Sequence, residues 1–151
     1  MTEDDVKQIE STFNVQLPNG YRGLLLSPPS LLVALMDAFA IEHSDYEIPI
    51  FLKPDVIRNE NAEARNPEEG FIYNEDDEDD PWPDEYFIIG ADCGGNKYCI
   101  RPESKLSSVY EWDHSGGDNF EETADSIARY VEIWFKELGE VAATDCVPDA
   151  G

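Results

Sequence analysis

The stretch that most constrains the fold of this chain is EYFIIGADCGGNKYCIRPES, residues 85–104. Two runs rich in strand-forming residues, 86–91 and 97–101, lie on either side of a short segment with two consecutive glycines. Gly94 and Gly95 can adopt backbone angles that other residues resist, so the chain can reverse tightly between the two runs. The stretch therefore predicts a β-hairpin.

The same turn raises two chemical alternatives, a phosphate site and a zinc site. Its glycines match neither of the common phosphate-binding patterns, and a strand follows them rather than a helix N-terminus. Cys93 and Cys99 flank the turn, and His114 and Cys146 could be further ligands, but the closely spaced cysteine pairs of structural zinc sites are missing. We interpret the cysteines as space-filling thiols, and we expect Asp92 to accept hydrogen bonds from backbone amides of the turn.

Helical periodicity appears first at the N-terminus. Thr2 is expected to cap the first helix and Asn14 to end it. Pro18 lies near the start of a second, short helix. A third helix is predicted over residues 31–43, and because it is apolar nearly all round we expect it to be buried.

The remainder of the chain alternates between strand and helix patterns. A strand is predicted over residues 47–52, a helix after Pro54, and a long last helix over residues 120–138 that Gly139 is expected to end. Further strand-like runs are residues 71–74, 86–91, 97–101 and 108–113. We predict an α+β fold, a mainly antiparallel sheet with the N- and C-terminal helices packed on it. We expect one domain over residues 1–151, with a frayed tail from about residue 140.

Net charge restricts the class of partner. The chain has 34 acidic and 10 basic residues, a formal net charge of −24. A field of that sign repels nucleic acid and anionic membranes, and it speeds encounters with basic proteins. We therefore expect a protein partner, and neither a nucleic acid nor a membrane.

The compartment is inferred from the N-terminus and the cysteines. Residues 1–6 show no basic segment followed by an apolar one, so no signal peptide is predicted. The longest apolar stretch, residues 31–41, is interrupted by Asp37 and is shorter than the roughly 20 residues of a membrane span. Three cysteines, an odd number, fit reduced thiols. We expect a soluble, cytoplasmic protein.

Catalytic constellations are weak. Asp113, His114 and Ser115 are consecutive, and neighbours at a strand end do not converge as a catalytic triad requires. Gly116 and Gly117 favour a turn at this place instead. We expect no catalytic residues, no cofactor and no metal site, and hence a protein that is not an enzyme.

An acidic run gives the strongest compositional signal. Its spacing does not fit a calcium-binding EF-hand loop, which requires a glycine at its sixth position. Two interpretations stay open: a solvated loop over residues 75–85, or a docking surface for a basic protein with nearby aromatic anchors. One of these anchors, Trp82, could equally belong to the core. The candidate partner-binding residues are Tyr73, Glu75, Asp76, Asp77, Glu78, Asp79, Asp80, Trp82 and Asp84.

The order of these features resembles that of the SUKH superfamily, which includes a yeast cell-wall-synthesis regulator family and many bacterial immunity proteins. The resemblance covers about residues 5–138, and residues 27–39 depart from the family, which often has an Asn-Gly element there. In the N-terminal signature the matching residues are Ile9, Glu10, Leu17, Pro18 and Tyr21. In the hairpin and the strand after it they are Phe87, Ile88, Ile89, Gly90, Asp92, Gly94, Gly95, Tyr98, Val109, Tyr110, Trp112, Asp113 and His114.

The resemblance implies a noncatalytic binding domain. Bacterial members bind and block a cognate toxin, often a nuclease, and an acidic surface suits competition for the basic cleft of a nuclease. The favoured hypothesis is thus an immunity protein that neutralises a basic toxin domain. The alternative is a regulatory or scaffold module that binds endogenous proteins.

Overall fold

The computed structural model describes residues 1–66, 71–73, 79–92, 94–103, 108–113 and 120–141. The helices are α1 (Glu3–Phe13), α2 (Asn19–Leu26), α3 (Ser30–Glu42), α4 (Pro54–Ala64) and α5 (Ile127–Val141). The strands are β1 (Phe71–Tyr73), β2 (Asp79–Pro81), β3 (Phe87–Ala91), β4 (Lys97–Ile100), β5 (Val109–Trp112) and β6 (Phe120–Ala124).

Helix α1 has both of the ends that the sequence predicts. The hydroxyl oxygen of Thr2 accepts a hydrogen bond from the Asp5 amide at 3.2 Å, and the Asp5 carboxylate accepts one from the Thr2 amide at 3.0 Å. These two reciprocal hydrogen bonds satisfy the backbone amides of Thr2 and Asp5, which have no acceptor within the helix. Asn14 ends the helix in the left-handed conformation, at φ 53°.

A four-stranded antiparallel sheet lies at the centre, in the order β3-β4-β5-β6, and β1 and β2 form a separate antiparallel pair. Adjacent residues of β4 point to opposite faces of the sheet. Lys97 pairs with Glu60 of α4 at 3.2 Å, whereas the Tyr98 ring packs against Tyr130 of α5. Helices α4 and α5 therefore cover opposite faces, and the predicted α+β fold is confirmed.

The strand predicted over residues 47–52 does not form as a regular strand. The segment instead runs beside β3, where the Phe51 amide donates to the Ile89 carbonyl at 2.7 Å and the Ala91 amide donates to the Ile48 carbonyl at 2.8 Å. Pro49 stands between these two bonds and has no N–H to continue the ladder. Its carbonyl oxygen accepts a hydrogen bond from the Tyr130 hydroxyl at 2.7 Å.

The C-terminal helix prediction is wrong over its first residues. Phe120–Ala124 forms strand β6, paired with β5. Helix α5 begins only at Ile127, where the Ser126 hydroxyl accepts a hydrogen bond from the Arg129 amide at 3.0 Å, and it continues past Gly139. Pairing with β5 satisfies the backbone groups of an otherwise open strand edge, which outweighs the helical spacing of the apolar residues.

Helix α3 is not buried on all sides, which corrects the prediction. Leu32 and Met36 are in the core, but Leu31 is 63% exposed and Ile41 is 85% exposed. Helix α3 therefore has a second apolar face, which includes Leu31 and Ile41 and which the described part of the chain does not cover.

Among the described residues, no single helix is both long enough and apolar enough to cross a bilayer. Helices α2 and α3 pass that test only when taken together, and they meet at an angle of 78°.

Candidate functional site

The turn between β3 and β4 is held together by Asp92. Its Oδ1 atom accepts hydrogen bonds from the Gly94 amide at 2.8 Å and from the Asn96 amide at 2.9 Å. Gly95 has a φ of 99°, a conformation that favours glycine. Cys99 is fully buried, and burial raises the pKa of its thiol, so it fills space as predicted. The turn is structural, and Cys93 lies outside the described residues.

The N-terminal motif residues are also structural. The Glu10 carboxylate accepts a hydrogen bond from the Leu17 amide at 2.8 Å and lies 3.9 Å from the Arg22 guanidinium. Pro18 precedes α2 at its N-cap position, and Tyr21 is fully buried, which raises the pKa of its hydroxyl. These residues fix the entry of the chain into α2.

Only part of the predicted acidic docking site is described. Residues 75–78, which are Glu75, Asp76, Asp77 and Glu78, lie outside the described residues, as does His114. Asp79 and Asp80 belong to β2, opposite Tyr73 and Ile72 of β1, so the prediction of a loop is wrong at these two positions. Pairing of the backbone with β1 holds them in a strand.

The two other predicted docking residues have opposite environments. Trp82 is 6% exposed, and its Nε1 atom donates to the Tyr86 carbonyl at 2.9 Å. Its ring packs on Trp112 at 5.2 Å and on Phe120 at 5.4 Å, so Trp82 belongs to the core and is no exposed anchor. Asp84, in contrast, has a 96% exposed side chain, 4.0 Å from the Arg65 guanidinium.

A row of four residues crosses the sheet on the face that α5 covers, and its environment changes along its length. The register pairs Gly90 with Tyr98, Tyr98 with Glu111, and Glu111 with Glu121. Gly90 is buried beneath the Pro49 carbonyl, and Tyr98 packs on the aromatic rings of α5. Glu111 is half-buried and Glu121 is exposed, so the row ends in two neighbouring carboxylates.

These carboxylates belong to a larger group, which we call the sheet-end acidic cluster: Asp92, Glu111, Asp113 and Glu121. Asp92 follows β3 and Asp113 follows β5, two strands that end on the same side of the sheet. Burial raises the pKa of Glu111, and the charges of Asp92, Asp113 and Glu121 raise it further. A hydrogen bond from the Asn96 amide group at 3.2 Å has the opposite effect.

Sequence reasoning missed Glu111 and Glu121 as a pair. Because β6 was predicted as the start of a helix, nothing in the sequence placed Glu121 opposite Glu111. The cluster attracts cationic groups by charge. It does not have the geometry of a metal site: within the described ranges, no three His, Cys, Asp or Glu side chains are grouped so that they could hold a metal ion.

The fold and the motif residues together define a class of protein. The chain is an α+β domain, and its signature residues lie at helix ends, in turns and in the core. The chain belongs to the SMI1/KNR4 family (SUKH-1), whose family model matches residues 1–133, and the resemblance to the SUKH superfamily is confirmed. Neither a curated protein nor a solved structure matches the chain.

Proposed function

We propose that this chain is a noncatalytic, cytoplasmic protein-binding domain, an immunity protein that neutralises a cognate basic toxin domain, with a nuclease as the favoured class of toxin. The observation that carries the proposal is the sheet-end acidic cluster. Asp92, Asp113 and Glu121 add negative potential around a half-buried Glu111. A surface of this charge complements the basic cleft of an enzyme that binds phosphates.

The arrangement of the cluster supports a role in binding. Glu111 and Glu121 occupy directly opposed positions on β5 and β6, and like charges in such positions destabilise a sheet, by about 0.2–1 kcal/mol. Lysine or arginine side chains of a partner, placed against these carboxylates, would remove that repulsion. The cluster thus gains more from a cationic partner than isolated surface carboxylates do.

The noncatalytic part of the proposal is supported by what the signature residues do. Asp92 accepts hydrogen bonds from two amides of a turn, and Glu10 accepts one from the backbone amide of Leu17. Both of these motif carboxylates have a structural role within the fold, which supports a signature that serves folding rather than catalysis.

Net charge supports the kinetic side of the proposal. With a formal charge of −24, the chain attracts a basic domain over distances comparable to the Debye length, about 8 Å at physiological ionic strength. Association should therefore slow as salt is added, while dissociation changes less.

The test is a binding measurement with the protein encoded by the adjacent reading frame. We expect a tight complex whose association rate falls with salt, and weaker binding by the double variant Glu111→Gln/Glu121→Gln. The matched control is Asp4→Asn/Glu63→Gln, which removes the same charge from exposed positions on α1 and α4. Equal affinities of the two double variants would reject the cluster as the binding surface. The absence of any basic protein partner would reject the proposed function.

A further inference from the structure

Helix α3 has an apolar stripe that faces away from the core. Leu31, Ala34, Ala38 and Ile41 are all exposed, and they follow one another at steps of three, four and three residues. That spacing places them on one side of a helix, the spacing of a seam between two helices. We call these four residues the outward stripe.

The outward stripe is not the result of a loosely attached helix. Leu32 and Met36, on the other side of α3, are buried in the core. Beside the helix lies a groove of about 220 Å³, lined by residues that include Val33, Met36, Ile48 and Leu52. Helix α3 is therefore fixed by one apolar side and presents a second apolar side at the surface.

The flanks of the outward stripe restrict what can cover it. Asp37 and Glu42 are exposed, and in a heptad that places the stripe at positions a and d they fall at positions g and e. In a parallel pair of two α3 helices, Asp37 would face Glu42 of the other copy. In an antiparallel pair with the two stripes aligned, Asp37 would face Asp37 of the other copy, so both orientations place like charges together.

The same argument applies to the C-terminal residues of this chain. Residues 142–151 contain two aspartates and neither lysine nor arginine, so they offer the flanks no opposite charge. A second copy of the chain brings a formal charge of −24 as well. The occupant that complements both the apolar centre and the acidic flanks is a basic amphipathic helix.

We propose that the outward stripe of α3 docks an amphipathic helix of the partner protein, with apolar residues along its seam and lysine or arginine on both flanks. The proposal rests on the proposed function, because it specifies which part of a basic partner binds and where. It adds a second contact surface to the sheet-end acidic cluster, and one whose binding depends on apolar contact as well as on charge.

The first experiment uses a labelled synthetic helix of about three heptads with leucine at positions a and d and lysine at e and g. Two control peptides separate the two contributions: one has glutamate at e and g, and the other has serine at a and d. We expect the lysine-flanked apolar peptide to bind in a fluorescence-anisotropy titration and both control peptides to bind at least about tenfold more weakly.

Variants of the chain then locate the binding site. Leu31→Ser/Ile41→Ser should weaken binding of the peptide about tenfold or more, and Asp37→Lys/Glu42→Lys should weaken it as well. Tyr46→Ser changes another exposed apolar residue, outside α3, and should leave the affinity unchanged. Peptide binding that is insensitive to Leu31→Ser/Ile41→Ser would overturn the proposal.

Two other occupants give distinct results. If sedimentation shows a dimer of the wild-type chain that Leu31→Ser/Ile41→Ser converts to monomer, the stripe is a self-association surface and the proposal fails. If phosphatidylcholine vesicles bind the chain through Leu31 and Ile41 while the lysine-flanked peptide does not, the stripe contacts lipid and the proposal also fails.

The natural partner separates this inference from the proposed function. If a basic toxin domain binds and Leu31→Ser/Ile41→Ser leaves its affinity unchanged, the docking inference is wrong and the proposed function stands. If no basic protein binds but the peptide binds through the stripe, the docking surface stands and the immunity role is wrong.

Discussion

The row of residues that crosses the sheet from Gly90 to Glu121 has different surroundings at its two ends. At the β3 end, Gly90 has no room for any side chain, because a Cβ atom there would lie 1.8 Å from the Pro49 carbonyl oxygen. At the β6 end, Glu111 and Glu121 place two carboxylates side by side towards the surface. One end is closed by contacts within the chain, and the other places two like charges in directly opposed positions.

The difference teaches where to look for function in this fold. The hairpin residues of the family signature form the β3 end of the row, at Gly90, and the turn that Asp92 holds together. Of the candidate binding residues, Glu111, Glu121 and the outward stripe of α3 lie outside the signature, whereas Asp92 and Asp113 belong both to the signature and to the sheet-end acidic cluster. Four predictions test that division, in order of decreasing effect on stability.

Gly90→Ala should have the largest effect. The added methyl group meets backbone atoms rather than a flexible side chain, so the segment over β3 has to move and the two bonds from Phe51 and Ala91 are strained. We expect a loss of at least about 3 kcal/mol in the free energy of unfolding, measured by urea denaturation.

The matched control is Gly23→Ala, where no neighbouring atom lies within 4 Å in the interior of α2. It should stabilise the protein by about 0.5–1 kcal/mol, because alanine has the higher helix propensity. If the two alanine variants had similar stability, the close approach at Gly90 would be refuted.

Asp92→Ala should have the second largest effect. It removes the acceptor of two amide hydrogen bonds in the turn, at a cost of about 1–2 kcal/mol. Asp92→Asn keeps an acceptor oxygen and should retain most of the stability. Both variants remove a negative charge near Glu111 and should lower its pKa, which a carboxyl NMR titration measures. A Glu111 pKa that is the same in all three proteins would argue against the cluster.

Glu111→Gln should change stability in the opposite direction. Removal of the cross-strand repulsion should stabilise the protein at pH 7 by about 0.2–1 kcal/mol. Because the pKa of Glu111 is raised in the folded state, protonation favours folding as the pH falls through that value. The advantage of the variant over wild type should therefore shrink from neutral pH towards pH 4.5, the ordinary value for the group. An advantage that grows on acidification would contradict this sign.

Leu31→Ser/Ile41→Ser should have the smallest effect on stability. Both side chains are mostly exposed, so their replacement should leave the free energy of unfolding within about 0.5 kcal/mol of wild type. The same variant is expected to bind the lysine-flanked peptide more weakly. Loss of binding without loss of stability would show that the outward stripe serves binding and not the core. A strongly destabilised variant would show instead that the described chain depends on these side chains for folding.

Local patterns predicted a large part of this structure. The cap at Thr2, the stop at Asn14 and the hairpin around Gly94 were all predicted, because each depends on residues close together in the chain. The failures have a common physical cause. Residues 47–52 and Phe120–Ala124 take their conformation from neighbours far along the chain, through bonds to β3 and pairing with β5.

The candidate binding surfaces also combine features that the sequence determines with features that depend on the tertiary structure. The acidic character of the chain is a property of composition, and the sequence by itself determined it, together with the family and the α+β class. Only the tertiary structure decided that Trp82 is buried, that Glu111 faces Glu121, and that α3 keeps one apolar side at the surface. Periodicity gives the faces of a helix or strand, but burial of a face depends on which distant segments pack against it, and that is decided by the fold as a whole.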